Sequence, residues 1–173
     1  MNELQHYDKA AQAFYGAKQI KSLPLISWDC FSEHFETVLK SSEDIVFLNK
    51  LALDHKWRTP LRIEDELLQK KHVVVVTDPY LSIIHTSHNI IEMNGYTSAE
   101  VMGKTPKMFQ GEETCAKTTT YISNAIKSKI PFEAIIVNYR KDGSPYKCWI
   151  KGQPIFNDEN DLVHFIAYEK EVA

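Results

Sequence analysis

Cysteine is scarce in this sequence: Cys30, Cys115 and Cys148 are its three copies, widely spaced and without a CxxC pair. That excludes a disulfide framework and a cysteine-ligated zinc site, and points to a reduced, cytoplasmic compartment. Long basic runs are absent as well, the nearest being Lys70-Lys71. The net charge is −3, so no clustered positive surface is expected and nucleic acid is not an expected partner. No apolar stretch is long enough to span a bilayer, and the first residues lack the basic-then-apolar pattern of a signal peptide, so no membrane association is expected. His72, His85, His88 and His164 are scattered, follow no metal-ligand spacing, and read as surface or internally satisfied residues. Neither a metal centre nor an enzyme active site is expected.

What is present is a globular composition, 43% hydrophobic and 25% charged, over 173 residues. That length suits one ordinary domain and an extension. Residues 1–70 carry helical signals. Leu4, Tyr7, Ala11 and Phe14 recur at helical steps, and Pro24 ends that run. Ser27 reads as an N-cap for a second helix with Phe31, Phe35 and Val38 on one face. Ser41 with Asp44 reads as the start of a third, carrying Ile45, Leu48 and Leu51. Pro60 is another break, and Ile63, Leu67 and Leu68 suggest a short helix leading into residues 71–173.

That second part alternates like a sheet. Val73 to Val76 is β-branched throughout and reads as a buried strand, stopped by Asp78-Pro79. Leu81 to Thr86 is a second strand. Asn89 to Asn94 is a short helix closed by Gly95, and Thr97 with Glu100 forms a capping box for another, closed by Gly103. Thr114 opens a longer helix with Tyr121, Ile122, Ala125 and Ile126 inward. Strands over Phe132–Tyr139, Tyr146–Ile155 and Leu162–Val172 follow, joined at Asp142-Gly143 and at residues 157–160. The expected fold class is α+β: a five-stranded antiparallel sheet with short helices on one face and a pocket between them.

That order resembles the PAS plan, and local motifs carry the resemblance. Residues 94–104, NGYTSAEVMGK, resemble the GYS-x-EE-x-x-G-K/R stretch of that family. Residues 138–146, NYRKDGSPY, resemble the strand-turn-strand of its light-oxygen-voltage (LOV) branch. Residues 103–111, GKTPKMFQG, overlay the LOV signature G-x-N-C-R-F-L-Q-G. In LOV photoreceptors the signature cysteine attacks a flavin. Pro106 stands there in this chain and has no nucleophile, so the resemblance implies a sensor without adduct photochemistry.

The same comparison gives the candidate cofactor-binding residues. Gln110 and Asn138 keep two of the side-chain amides that hold the flavin ring's polar edge. Thr105, Cys148 and Glu169 replace three others, and Lys107 replaces a phosphate-binding arginine, keeping its charge and losing its fork. The cofactor is therefore left open, FMN or FAD being one candidate and a self-filled pocket another. Haem, which some PAS domains hold through one histidine, has no specific motif here. The expected function is a sensory or regulatory module for signal transduction, acting through a small ligand or a partner and through homodimerisation. Its signalling partner is not identified by the sequence. Ile63, Leu67 and Leu68 would pack on an outer sheet face made of Ile135, Val137, Trp149 and Phe165. The rival readings are a flavin-binding redox or light sensor without an adduct, and a structural adaptor with a filled core.

Overall fold

The structure, a computed structural model, describes residues 26–173, with side chains from residue 36 onward. The chain separates into two compact units, Met1–Glu36 and Thr37–Ala173. The second unit contains every contact described below. The expected helix through Leu4 and Phe14 and the side chains of Trp28, Phe31 and Phe35 lie outside the described residues.

Where the sequence predicts two helices there is one, α1, Ile26–Asp54. No glycine or proline interrupts that stretch, so nothing forces a break at Ser41. The Ser41/Asp44 pair faces inward instead of capping. Ser41, Asp44, Ile45 and Leu48 are all buried, at the spacing of one helix face. The Asp44 carboxylate accepts a bond from the His88 backbone N–H at 2.8 Å, pairs with His88 Nδ1 at 2.8 Å, and lies 3.2 Å from His85 Nε2. Burial works against the charged form of Asp44, but these bonds outweigh it and hold the pKa below the usual range. Phe47 stacks on the His85 ring at 4.5 Å between centroids. The two histidines that sequence reasoning left apart are thus brought to one carboxylate. Lys56, at φ 50°, turns the chain out of α1, and a π-helical turn at Asp65–Gln69 leads into the sheet.

The sheet has order β2-β1-β5-β4-β3, with every pairing antiparallel: β1 Val73–Thr77, β2 Ile83–Thr86, β3 Phe132–Tyr139, β4 Pro145–Phe156 and β5 Leu162–Val172. Between β2 and β3 lie α2 (Ile90–Asn94), α3 (Ser98–Val101), a 3-10 turn (Pro106–Phe109) and α4 (Ala116–Lys127). Gly95 closes α2 at φ 77°, a conformation that costs glycine nothing. The capping box on α3 forms as expected, with Thr97 N–H donating to Glu100 at 3.0 Å.

Alternation along the strands divides the core in two. Val73 and Val75 face α2, α3 and the 3-10 turn, packing with Ile90, Val101, Phe109 and Ile136. Val74 and Val76 face the other way, where Ile45 and Leu48 of α1 join Ile63, Leu67, Ile155 and Ile166. The outer face of β1 is therefore covered by this chain itself. Ile63 and Leu67 are spent on that cover, and only Leu68 of the expected docking trio is exposed. Phe165 belongs to the inner face, not the outer: it pairs with Thr77 in register and lines the inner cavity. Tyr121 is another correction. The buried stripe of α4 is narrow, centred on Ala125, and Tyr121 at its margin turns to solvent. No described helix is long and apolar enough to cross a membrane.

Leu48 is fully buried between α1 and the sheet. Leu48→Ala is expected to lower the stability of the Thr37–Ala173 unit by about 2–5 kcal/mol, read from urea unfolding followed by far-ultraviolet circular dichroism. An unchanged midpoint would mean that α1 does not hold the sheet in solution.

Candidate functional site

The inner faces of β1, β3, β4 and β5 form the floor of a cavity, with α4 and the 3-10 turn above it. Its volume is about 100 Å³. Phe109, Ile122, Ile126, Phe132, Ile136, Ile150 and Phe165 make the wall mostly apolar, and Pro106 lies in it as well. Five polar residues interrupt that wall: Thr77, Gln110, Asn138, Gln153 and Glu169. Strand register puts three of them on the inner face at different levels of the sheet: Thr77 of β1 lies opposite Phe165, Glu169 of β5 opposite Val73 and Ile150, and Asn138 of β3 opposite Tyr146.

Phe132 owes its place to Gly152. A Cβ built on Gly152 would come within 2.3–2.5 Å of the Phe132 ring, so the ring occupies the space a side chain would fill. No other residue type at Gly152 leaves the ring where it is.

Of the six candidate residues, the structure brings Gln110, Asn138 and Glu169 into the cavity wall. Cys148 is fully buried beside Glu169, its Sγ 3.7 Å from Oε2, and is not part of the wall. Thr105 and Lys107 are exposed and also lie outside the wall. Sequence reasoning missed Thr77, Tyr146 and Asn94. The Tyr146 hydroxyl is buried beside the Asn94 and Asn138 amides without a hydrogen bond of ordinary geometry to either. Thr77 Oγ1 and Asn94 Nδ2 are likewise buried without a partner. The alternation of β4, which puts Tyr146 on the face of Cys148, was the available signal for Tyr146.

The electrostatics follow from burial. Desolvation raises the Glu169 pKa to about 7, the Cys148 thiol offsetting little of it. Desolvation also pushes the Cys148 thiol and the Tyr146 phenol upward, with the Glu169 charge adding to both. This corner of the site is consequently neutral just below neutral pH. On the opposite sheet face, burial lowers the His164 pKa to about 4, and its Nδ1 accepts a bond from Trp57 Nε1 at 3.0 Å.

These residues do not fit a flavin held in this cavity. Pockets for ligands of that order measure about 300–1,000 Å³, against about 100 Å³ here. Phe132 narrows the space from below, Glu169 replaces an amide with a carboxyl group, and Lys107 points no charge into the wall.

The fold and cavity define a class of protein: an α+β domain whose sheet encloses a small internal chamber under short helices. The PAS domain profile matches residues 71–172, and the chain belongs to the PAS domain family. It is 29% identical over 141 residues to Protein TWIN LOV 1 of Arabidopsis thaliana, a match covering 79% of this chain and 35% of that protein. It is 32% identical over 119 residues to Phototropin-2 of Oryza sativa subsp. japonica, covering 67% of this chain and 13% of that protein. The chain thus spans about a third or less of the length of these relatives. Among solved structures, the dark structure of the blue-light photoreceptor Aureochrome1 LOV superposes with a TM-score of 0.61 at 21% identity, covering 66% of this chain and 86% of that one.

Glu169 makes stability pH-dependent with a determined sign. Its folded-state pKa of about 7 lies above the ordinary 4.5, so the folded state keeps a proton that the unfolded state releases between those values. Stability therefore falls as pH rises through that window, by about 3 kcal/mol in all. Glu169→Gln is expected to flatten this decline, measured as urea midpoints between about pH 5 and about pH 8. Parallel curves for the two proteins would show that Glu169 is not the buried acid.

Proposed function

We propose that this chain is a sensory PAS module that reports occupancy of its inner cavity through α1, without cysteinyl–flavin photochemistry. The observation that carries the reading is the cavity wall: apolar, broken by a few polar side chains, and free of cysteine among the described residues. Pro106 lies in that wall. Cys115 is exposed, and Cys148 is turned toward Glu169.

A route outward supports the same reading. β1 contributes Val75 and Thr77 to the cavity and Val74 and Val76 to the layer under α1. A ligand that prefers one position of β1 biases the docking of α1 by the difference in its affinity for the two positions. Asp44, joined to His85 and His88, fastens α1 to the β2 edge.

Homodimerisation forms part of the proposal. Leu39, Val46 and Leu53 recur every seven residues along α1 and are 48%, 68% and 78% exposed. That is the period of a helix–helix seam.

Two measurements test this. The purified chain, incubated with excess FMN, FAD or haem and then desalted, is expected to stay colourless; a retained structured blue absorption band would overturn the flavin-free reading. Light scattering is expected to give a dimer mass, with Val46→Glu shifting it to monomer. A monomeric unsubstituted chain would remove the dimer from the proposal.

A further inference from the structure

Trp57 lies just beyond the end of α1, and its indole Nε1–H donates to His164 Nδ1 of β5 at 3.0 Å. The chain then runs against the β4–β5 hairpin. Trp57 is bridged to Asn157, the Arg58 backbone N–H donates to the Phe156 carbonyl at 2.9 Å, and Arg58 Nη1 donates to Asn160 Oδ1 at 2.8 Å. The C-terminal end of α1 is thus tied to the sheet through Trp57, and its middle through Asp44 on His85 and His88.

An indole N–H can only donate. Nδ1 of His164 must therefore carry a lone pair, which puts the ring's proton on Nε2 and makes the ring neutral. A second proton would stand on Nδ1 and set two donors head to head across 3.0 Å. The surroundings do little to compensate such a charge. His164 is 3% exposed, the His55 ring stands edge-on at 4.6 Å between centroids, and β4 sets uncharged Ile155 opposite it. Asp78, after β1, favours the proton, but burial and His55 outweigh it. For the ring to be charged it must meet water, so Trp57 and His55 must lift off it.

We propose that Trp57 and His164 form an acid-released clasp on α1: protonation of His164 frees Trp57 and the C-terminal end of the helix from β5, while Asp44 keeps the middle of the helix on β2. The two attachments respond differently because their acceptors differ. The clasp needs an uncharged acceptor. Asp44 is a charged one, and its carboxyl stays ionised to below the usual carboxylate range. Covered, His164 titrates at about 4 against its ordinary 6.5, so released protein binds a proton that clasped protein refuses. Release therefore grows as pH falls below about 6.5. This concerns the attachment of α1 and holds whatever the cavity contains.

The test is solvent exchange of the Trp57 indole N–H in the full, nitrogen-15-labelled chain, followed by NMR and corrected at each pH by the rate of free tryptophan. Between about pH 6.5 and about pH 4.5 its protection is expected to fall roughly 40-fold, while backbone amides of β1 and β5 stay better protected than the indole throughout. His164→Asn, whose amide oxygen accepts the same bond without titrating, is expected to hold its indole protection constant over that range. Should that variant fail to fold, the imidazole nitrogens of the unsubstituted chain give the second reading: at about pH 6, His164 is expected to be neutral with its proton on Nε2. Indole protection that does not change with pH in the unsubstituted chain, or that falls equally in His164→Asn, overturns the clasp. So does a charged His164 ring beneath a protected indole, or an indole that exchanges only together with the sheet amides.

Discussion

A sheet with apolar residues on both faces cannot stand with either face in water, and β1 is where this chain meets that constraint most strictly. All of its residues, Val73 to Thr77, are buried. One set of side chains needs the short helices and the other needs α1. The cavity exists because the first cover is imperfect, and the helix is held because the second is nearly complete. Both properties proposed as functional, a chamber and a helix that can report on it, descend from the two-sided burial of one five-residue strand.

That dependence also explains which parts of the molecule were legible in advance. Strands and their succession along the chain follow from alternation and turn chemistry, which are local; the pairing of β1 with β5 does not. Val73 to Val76, the Asp142-Gly143 turn and the Thr97/Glu100 box each carry their meaning within a few residues, and each appears as expected. What was not legible is what depends on a distant partner. Ser41 and Asp44 have the spacing of a helix start, but Asp44 is satisfied by His85 and His88 across the fold, and the helix runs on. Phe165 could be assigned to a face only once its register with Thr77 was known.

The candidate site divides along the same line. Gln110, Asn138 and Glu169 are found in the cavity wall because a motif or strand position places them there. Thr105 and Lys107 sit in the same motif as Gln110, yet the 3-10 turn directs them outward. Glu169 departs from the rule that acidic residues are rarely buried unpaired. Its burial, with only a thiol beside it, is what turns the amide-like site of the resemblance into an acid-bearing one.

The alternation of β5 sets one more limit. Its inward side chains are Phe165, Ala167 and Glu169, and its outward ones are Ile166, Tyr168 and Lys170. Sliding the strand by one residue would exchange the two sets, because side chains alternate strictly. The slip would free Glu169 from its buried position, but it would drive the Lys170 ammonium, now 5.1 Å above the Trp149 ring, into an interior with no carboxylate ready to meet it. Lys170 thus acts as a stop on the strand's sliding, and the frame in which an acid is tolerated indoors is kept by a base that is not.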